Sequence, residues 1–410
     1  MKPAACRFCR APLMLSFADL GMSPPSNSYL KADDLNRMEQ FYPLHAWVCE
    51  KCFLVQLEEF ETPEQIFSDY AYFSSYSESW LAHAKAYTQA MTARLLLNTG
   101  SFVVEIASND GYLLQYFVAQ GIPVLGIEPA ANVAAVAEKK GVPTLVKFFG
   151  TQTAQELAAG RKADLILGNN VLAHVPDLND FVSGMGALLK PGGVVTMEFP
   201  HLLRLMQENQ FDTIYHEHFS YISFIVAERV FAAHGLTLFD VDEIPTHGGS
   251  LRIYARHAAN GALEVSAKVA ELRKRERAAG LERAETYRTF AEKVKGTKRS
   301  LLKFLIGARD SGKSVVGYGA PAKGNTLLNY CGVRSDLLEY TVDRSPHKQG
   351  RFLPGVHIPI HAPEKIIQTQ PDYVLILPWN LREEIVGQMA SIRAWGGRFV
   401  VPIPETKVFD

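Results

Sequence analysis

No stretch of the 410 residues reaches the ~18 consecutive apolar residues that a membrane-spanning helix needs. The opening MKPAACRFCR also lacks the apolar core of a secretion signal, so the expected compartment is the cytoplasm, with no membrane partner. Neither sign of charge is in excess. Lys plus Arg number 42 and Asp plus Glu 43, a net charge of −1, which removes the basic surface expected of a nucleic-acid binder. Internal repeats and low-complexity tracts are missing too. Single hydrophobic cores seldom grow past ~250 to 300 residues, so two or three domains are expected.

Four of the five cysteines fall into two CxxC pairs, Cys6 with Cys9 and Cys49 with Cys52, separated by 39 residues. Two such turns each present two sulfurs to one edge of a tetrahedron, and cytosolic thiols stay reduced, so zinc outranks disulfides. A dithiol redox enzyme needs one such motif at a helix N-terminus rather than a matched pair. Four thiolates leave no open coordination position, so the zinc is expected to be structural. Cys331 reads as a buried apolar residue. Between the pairs, SPPSNSYL is placed to cover a neighbouring cleft. After them, Ser68 to Trp80 is dense in tyrosine and serine. It is either an aromatic docking segment or a source of hydroxyls, from Tyr72, Ser74, Ser75 or Tyr76, for a polar ligand.

The organising stretch is SFVVEIASNDGYLLQYF: a strand from Phe102 to Ile106, a polar turn from Ala107 to Gly111, then a helix. A second strand from Val124 to Ile127 runs into Glu128, about 20 residues past the turn, where doubly wound folds hold ribose hydroxyls. The turn lacks the GxGxxG that opens a helix N-terminus to pyrophosphate, and Asp110 stands where an anion would be repelled. S-adenosylmethionine carries a sulfonium and an ammonium, so the carboxylates of Glu105, Asp110 and Glu128 suit it better than NAD. The plainer reading is that Asp110 only caps a helix. Further strands in PTLVKFF, ADLILGNN and LLKPGGVVTMEFP alternate with helices and give an α/β parallel sheet. Ligands bind beyond the carboxyl ends of such strands, which gathers Ala107, Asn109, Gly111, Glu128, Phe148, Asn169 and Asn170 around one crevice.

The densest chemistry is FDTIYHEHFSYIS, with Tyr215, His216, Glu217, His218 and Tyr221 within seven residues. His216 and His218 form an HxH pair without a clear third metal ligand, so acid-base work fits better: imidazole as base, carboxylate to fix its tautomer, phenol as donor to an oxyanion. His174 lies on a loop beyond the fourth strand. THGGSLRIYA adds His247, Gly248, Gly249 and Arg252, with the glycines marking close backbone approach to a ligand or only a bulge. Residues 263 to 309 read as amphipathic helices whose charges form a solvated face. Then KSVVGYGAPAKGNTLLNY repeats the strand-turn-helix pattern without an acidic residue. Gly317, Gly319 and Lys323 there suit a diphosphate. Tyr318 and Asn325 flank this turn, and Asp343, Arg344, Pro378, Trp379 and Asn380 end later strands. On this segment alone an NAD oxidoreductase is a rival.

This order of motifs resembles the nucleotide-sugar C-methyltransferases of deoxysugar biosynthesis. The resemblance covers essentially the whole chain and rests on the CxxC pairs, EIASNDG at 105 to 111, GIEP at 126 to 129, NNVLAHVP at 169 to 176, YHEHF at 215 to 219, HGGSLR at 247 to 252 and GYGAPAKGNT at 317 to 326. It implies a class I methyltransferase-type doubly wound sheet at 67–259, flanked by a zinc-binding domain at 1–66 and a smaller Rossmann-like α/β domain at 260–410. It also implies catalytic roles for His218 as base, with Tyr215, Glu217, His174 and Tyr72. The family leaves the position of His216 variable. Substrate contacts are expected from His247, Gly248, Gly249, Arg252, Tyr318, Lys323, Asn325, Asp343, Trp379 and Asn380. The implied substrate is a dTDP- or GDP-linked 4-keto-deoxysugar methylated next to the ketone, at C-3 by preference or at C-5, by a monomer. An O- or N-methyltransferase and an RNA methyltransferase are the other classes.

Overall fold

The computed structural model describes residues 4–62 and 74–410, and its strands form three sheets. The apolar runs read as buried strands make the largest. Its order is Thr144–Leu145, Val124–Ile127, Val103–Ile106, Ala163–Asn169, Leu189–Pro200, Ser250–His257 and Leu236–Ile244. The first five are parallel, and Ser250–His257 is antiparallel to both its neighbours. This is the class I methyltransferase sheet, with its ligand edge at the carboxyl ends of Val103–Ile106, Val124–Ile127 and Ala163–Asn169. Helix Leu178–Leu188 covers it, started by the Asp177 carboxylate accepting from the Asn179 and Asp180 amides at 3.0 Å.

The C-terminal sheet has six strands, in the order Ile360–His361, Thr341–Val342, Val315–Tyr318, Tyr373–Ile376, Arg398–Val401 and Lys407–Phe409. All but the last are parallel. The N-terminal sheet is antiparallel: Leu15–Ser23, Tyr42–Val48 and Val55–Leu57, completed by Ser220–Tyr221 from much later in the chain. That fourth strand begins two residues after His218. The acid-base segment is therefore an edge of the zinc unit, with Val55 opposite Tyr221 and Gln56 opposite Ser220.

Cores run across all three sheets. Phe17 stacks on Phe290 at 4.4 Å between ring centroids, tying the N-terminal sheet to helix Phe290–Asp310, and one apolar cluster continues from Phe17 to Leu327 and Val400 of the C-terminal sheet. Cys6, Cys49 and Cys52 share a second cluster with Ile166 and Val195 of the central sheet. The helices Ala267–Ala278, Ala284–Arg288 and Phe290–Asp310 occupy the charged stretch, but its charge is not only a solvated face. Glu276 is fully buried and accepts from the Phe224 and Ile225 amides at 2.7 and 2.9 Å, and it pairs with His201 Nε2 at 2.6 Å. It satisfies the bare amides at the start of helix Phe224–Ala233, where a negative charge is favoured. Cys331 is buried, and burial pushes its thiol up to about 12, as an inert apolar residue should be.

Candidate active site

The four thiols converge. Cys6 and Cys52 sulfurs lie 3.6 Å apart and Cys9 and Cys49 sulfurs 3.4 Å, and all four fall within 4.8 Å of one another. A tetrahedral zinc with bonds of ~2.3 Å needs sulfur-sulfur edges of ~3.8 Å, so the cradle fits the ion. Gln56 Nε2 donates to Cys6 Sγ at 3.3 Å, which orients that ligand from outside. Among the described residues this is the one group of three or more His, Cys, Asp or Glu placed to share an ion.

At the ligand edge of the central sheet the turn after Val103–Ile106 is sharply bent: Ala107 and Asn109 both take positive φ, 56° and 50°. Glu128 braces it, accepting from the Asn109 and Ala130 amides at 2.9 Å each. Burial raises the pKa of Glu128 and drives that of fully buried Glu105 well up, with the neighbouring Glu128 and Asp110 adding to the second effect. The Asp110 Oδ1 and Asn169 Oδ1 have no hydrogen-bond partner. Surplus buried acceptors around a crevice fit a ligand bearing cations and hydroxyls, as S-adenosylmethionine does. Asp110 is not a helix cap; its other oxygen pairs with Lys140 at 3.1 Å.

Two of the expected cofactor residues have a structural setting of their own. Gly111 is small for the protein's own sake: a Cβ there would sit 3.0 Å from Val142 Cγ2 and 3.2 Å from Ala137 Cβ, and its φ is +73°. Phe148 lies beyond the short strand Thr144–Leu145 and is 39% exposed. The sequence reading missed Trp80, whose indole stacks on Tyr112 at 6.0 Å and meets His247 edge-on at 5.5 Å, and His83, which bonds Glu198 at 2.8 Å. Ser74 does reach this region, its amide donating to Asn109 Oδ1 at 2.9 Å. Tyr72 lies outside the described residues.

Beside the crevice is a cavity of about 60 Å³ whose wall includes Thr213, Tyr215, His218, His247 and Lys323. His218 is tied at both ends. Its Nδ1 donates to the Thr213 carbonyl at 2.9 Å, which leaves Nε2 with a lone pair that accepts from the Tyr215 hydroxyl at 2.7 Å. Burial, with His174, His247 and Lys323 nearby, holds its pKa well below 6.5, so the ring is neutral at pH 7. His174 meets it edge-on at 4.7 Å and is held down to about 4 by burial. His247 joins through Asn170, 3.0 Å from its Nε2, and Asn170 follows Asn169 of the cofactor edge. The cofactor crevice and the imidazoles are thus neighbours.

Glu217 does not fix the His218 tautomer; the Thr213 carbonyl does. Its carboxylate accepts from Asn27 Nδ2 of the SPPSNSYL segment at 2.6 Å. Burial pushes Glu217 up to about 7. Because that value exceeds the ordinary 4.5, the folded protein binds more protons than the unfolded chain between the two, and wild-type stability is lost as pH rises through this window. Glu217→Gln keeps an acceptor for Asn27 and cannot ionise. In melts at pH 4.5 and pH 7.5, the variant's advantage over wild type is expected to grow with pH, by on the order of 3 kcal/mol; a constant difference would contradict the assignment.

The expected substrate contacts divide. Lys323 lines the cavity, its Nζ donating to Asn380 Oδ1 at 2.8 Å and standing 4.7 Å over the Trp379 ring, and Trp379 Nε1 donates to buried Asp212 at 2.7 Å. Burial draws the Lys323 pKa down and pushes Asp212 up to about 6. Others are used internally. Arg252 is committed to Glu198, Nε to Oε1 at 2.6 Å. The space over Gly248 holds Trp379 and Gln210, and that over Gly249 holds Arg204, so the glycines admit side chains rather than a ligand. The second glycine turn is closed as well. The Gly319 amide donates to Val342 O, the Ala320 amide donates to Asp343 at 2.8 Å, and a Cβ on Gly319 would strike Pro378 at 2.5 Å. Asp343 also accepts from Ser345 N, Tyr318 donates to Gln388, and Asn325 accepts from Asn329. That turn is not an open phosphate cradle.

Three family models match in sequence: a zinc binding domain over residues 6–67, a methyltransferase domain over 80–241 and a C-methyltransferase C-terminal domain over 245–404. The C-methyltransferase NovU of Streptomyces niveus is 37% identical over 406 residues, 99% of this chain and 96% of that one. A ubiquinone biosynthesis O-methyltransferase of Rhodopseudomonas palustris (strain HaA2) is 30% identical over 103 residues, 24% of this chain and 40% of that one. Among solved structures, magnesium protoporphyrin IX methyltransferase (ChlM) from Synechocystis PCC 6803 with bound S-adenosylmethionine is 14% identical at a TM-score of 0.33, covering 43% of this chain and 81% of that one. With thiols spaced for zinc, a crevice of buried polar groups at the strand ends, and identity to NovU along nearly the full length of both chains, the protein belongs to the S-adenosylmethionine-dependent C-methyltransferase family.

Proposed function

We propose that the enzyme methylates the carbon next to the ketone of a nucleotide-linked 4-keto-deoxysugar, C-3 by preference and otherwise C-5, with His218 as base. The observation that carries this reading is the His218 tautomer: Nδ1–H is held by Thr213, and Nε2 offers its lone pair to the cavity wall. A carbon is a poor nucleophile until it loses a proton, whereas a hydroxyl or amine needs far less help. A base buried beside donors is therefore the equipment of C- rather than O-methylation.

In this reading the sugar displaces the Tyr215 phenol from Nε2. The imidazole takes the proton from the carbon, the bonding pair moves toward the ketone oxygen, and Tyr215 donates to the enolate that results. Lys323 adds positive charge in the same wall, and a neutral His174 stands against the imidazolium. When bound, S-adenosylmethionine supplies an electrophilic methyl group; Ala107, Asn109, Glu128 and Asn169 are the residues that would hold it. Residues 1–66 then carry the metal, 67–259 the donor and base, and 260–410 the nucleotide end of a dTDP- or GDP-linked sugar, in a cytoplasmic monomer.

Because His218 is held below 6.5, the acid limb of the kcat/KM profile is expected below 6.5; a limb above 7 would contradict the assignment. The direct test is incubation with a 4-keto sugar nucleotide in heavy water without methyl donor. Deuterium is expected to enter next to the ketone. An O- or N-methyltransferase leaves that position unlabelled, and so would refute the reading.

A further inference from the structure

Between the first two zinc ligands lies Arg7, which no part of the reaction so far uses. We propose that Arg7 is a positioning residue for the methyl transfer: from the zinc knuckle, its guanidinium holds the loop carrying His174 and the segment carrying His218 at a fixed separation. Arg7 is 8% exposed. Its Nη1 donates to the Pro176 carbonyl at 2.7 Å, two residues beyond His174, and its Nη2 donates to the Leu57 carbonyl at 2.6 Å. The Leu57 amide in turn donates to the carbonyl of Phe219, the residue after His218, at 3.0 Å. The guanidinium also lies 5.3 Å from the centre of the Phe219 ring.

The clamp is itself anchored. The Arg7 amide donates to Gln56 Oε1 at 2.8 Å, and Gln56 Nε2 reaches Cys6 Sγ. The Arg7 carbonyl accepts from Asn179 Nδ2 at 3.3 Å. One planar fork thus bonds the His174 loop directly and reaches the His218 segment through Leu57 and the Phe219 ring, while its backbone is set by the metal turn. A lysine in its place has one flexible ammonium and cannot reproduce the fork. Arg7 is not in the cavity wall, so it acts only through the 4.7 Å His174/His218 contact and the direction of Nε2. Misplacing a catalytic group by ~1 Å can cost ~10²-fold in rate, which sets the scale of the effect.

The effect on rate rests on the acid-base reading, and the test separates the two. Arg7→Met is compared with wild type in zinc content, adenosylhomocysteine affinity, kcat and KM, and the side-chain NMR signals of His174 and His218, assigned with His174→Gln and His218→Gln. The expected result is one zinc per chain, affinity and KM within about threefold, kcat lowered ~10- to 100-fold, and both imidazole signals shifted. A folded, zinc-loaded Arg7→Met with wild-type kcat overturns the proposal. Should that variant lose its metal or fail to fold, Arg7→Lys decides: reduced kcat at full zinc supports the clamp and wild-type kcat overturns it. Should wild type neither exchange nor methylate any keto sugar, the substrate reading falls alone, and unshifted histidine signals then overturn the clamp.

Discussion

His218→Gln is expected to lower kcat by ~10² to 10⁴ while adenosylhomocysteine binds as it does to wild type, because the base and the donor pocket are separate pieces of the fold. His218 stands on the segment leading into the N-terminal sheet; the donor pocket stands on the carboxyl ends of Val103–Ile106, Val124–Ile127 and Ala163–Asn169. Asn170, beside the donor pocket, bonds His247 rather than His218. Glutamine preserves bonding to the Thr213 carbonyl and Tyr215 but has no lone pair able to take a proton at neutral pH. Steady-state kinetics and calorimetry check both halves. A variant with wild-type kcat removes His218 as base, and one that no longer binds adenosylhomocysteine shows that the two sites are not separable as described.

Cys6→Ser is expected to remove zinc, to lower Tm by on the order of 10 °C, and to reduce kcat even below that melting point. Structural zinc binding is coupled to folding, and here the cradle has no core of its own: Cys6, Cys49 and Cys52 pack into the cluster of the central sheet. Cys52 is followed closely by Val55–Leu57, whose partner strand is Ser220–Tyr221. Loss of the metal therefore reaches His218 through Val55–Leu57 and its pairing with Ser220–Tyr221. Metal analysis, thermal melts and activity assays test this. A metal-free variant of unchanged Tm would mean that the four thiols are not a structural zinc site.

The legible parts of the sequence were those where chemistry is local. Two CxxC pairs state their ligands outright, and SFVVEIASNDG and GIEP each hold a strand, a turn and its carboxylate in one window. The density of YHEHF also marked a segment that lines the cavity through Tyr215 and His218. Long-range placement was harder. Ser220 and Tyr221 form a two-residue strand whose partners lie about 165 positions earlier, too short for any period to register. Glu217 looked like the partner of His218 because they are adjacent, yet neighbouring side chains diverge, and Asn27 takes the carboxylate while Thr213 takes the ring. The turn at Gly319 has the composition of a phosphate loop; the Pro378 that fills it comes from nearly 60 residues on. Glu276 looked like one more solvated charge because nothing near it in sequence announces three buried donors.

The central claim is that the methyl group goes to carbon. With S-adenosylmethionine labelled with ¹³C in its methyl group and a panel of dTDP- and GDP-linked 4-keto sugars, the carbon-13 spectrum of the product tests it directly. The account predicts a labelled methyl bonded to the ring carbon adjacent to the ketone. A labelled methyl on oxygen or nitrogen would contradict it.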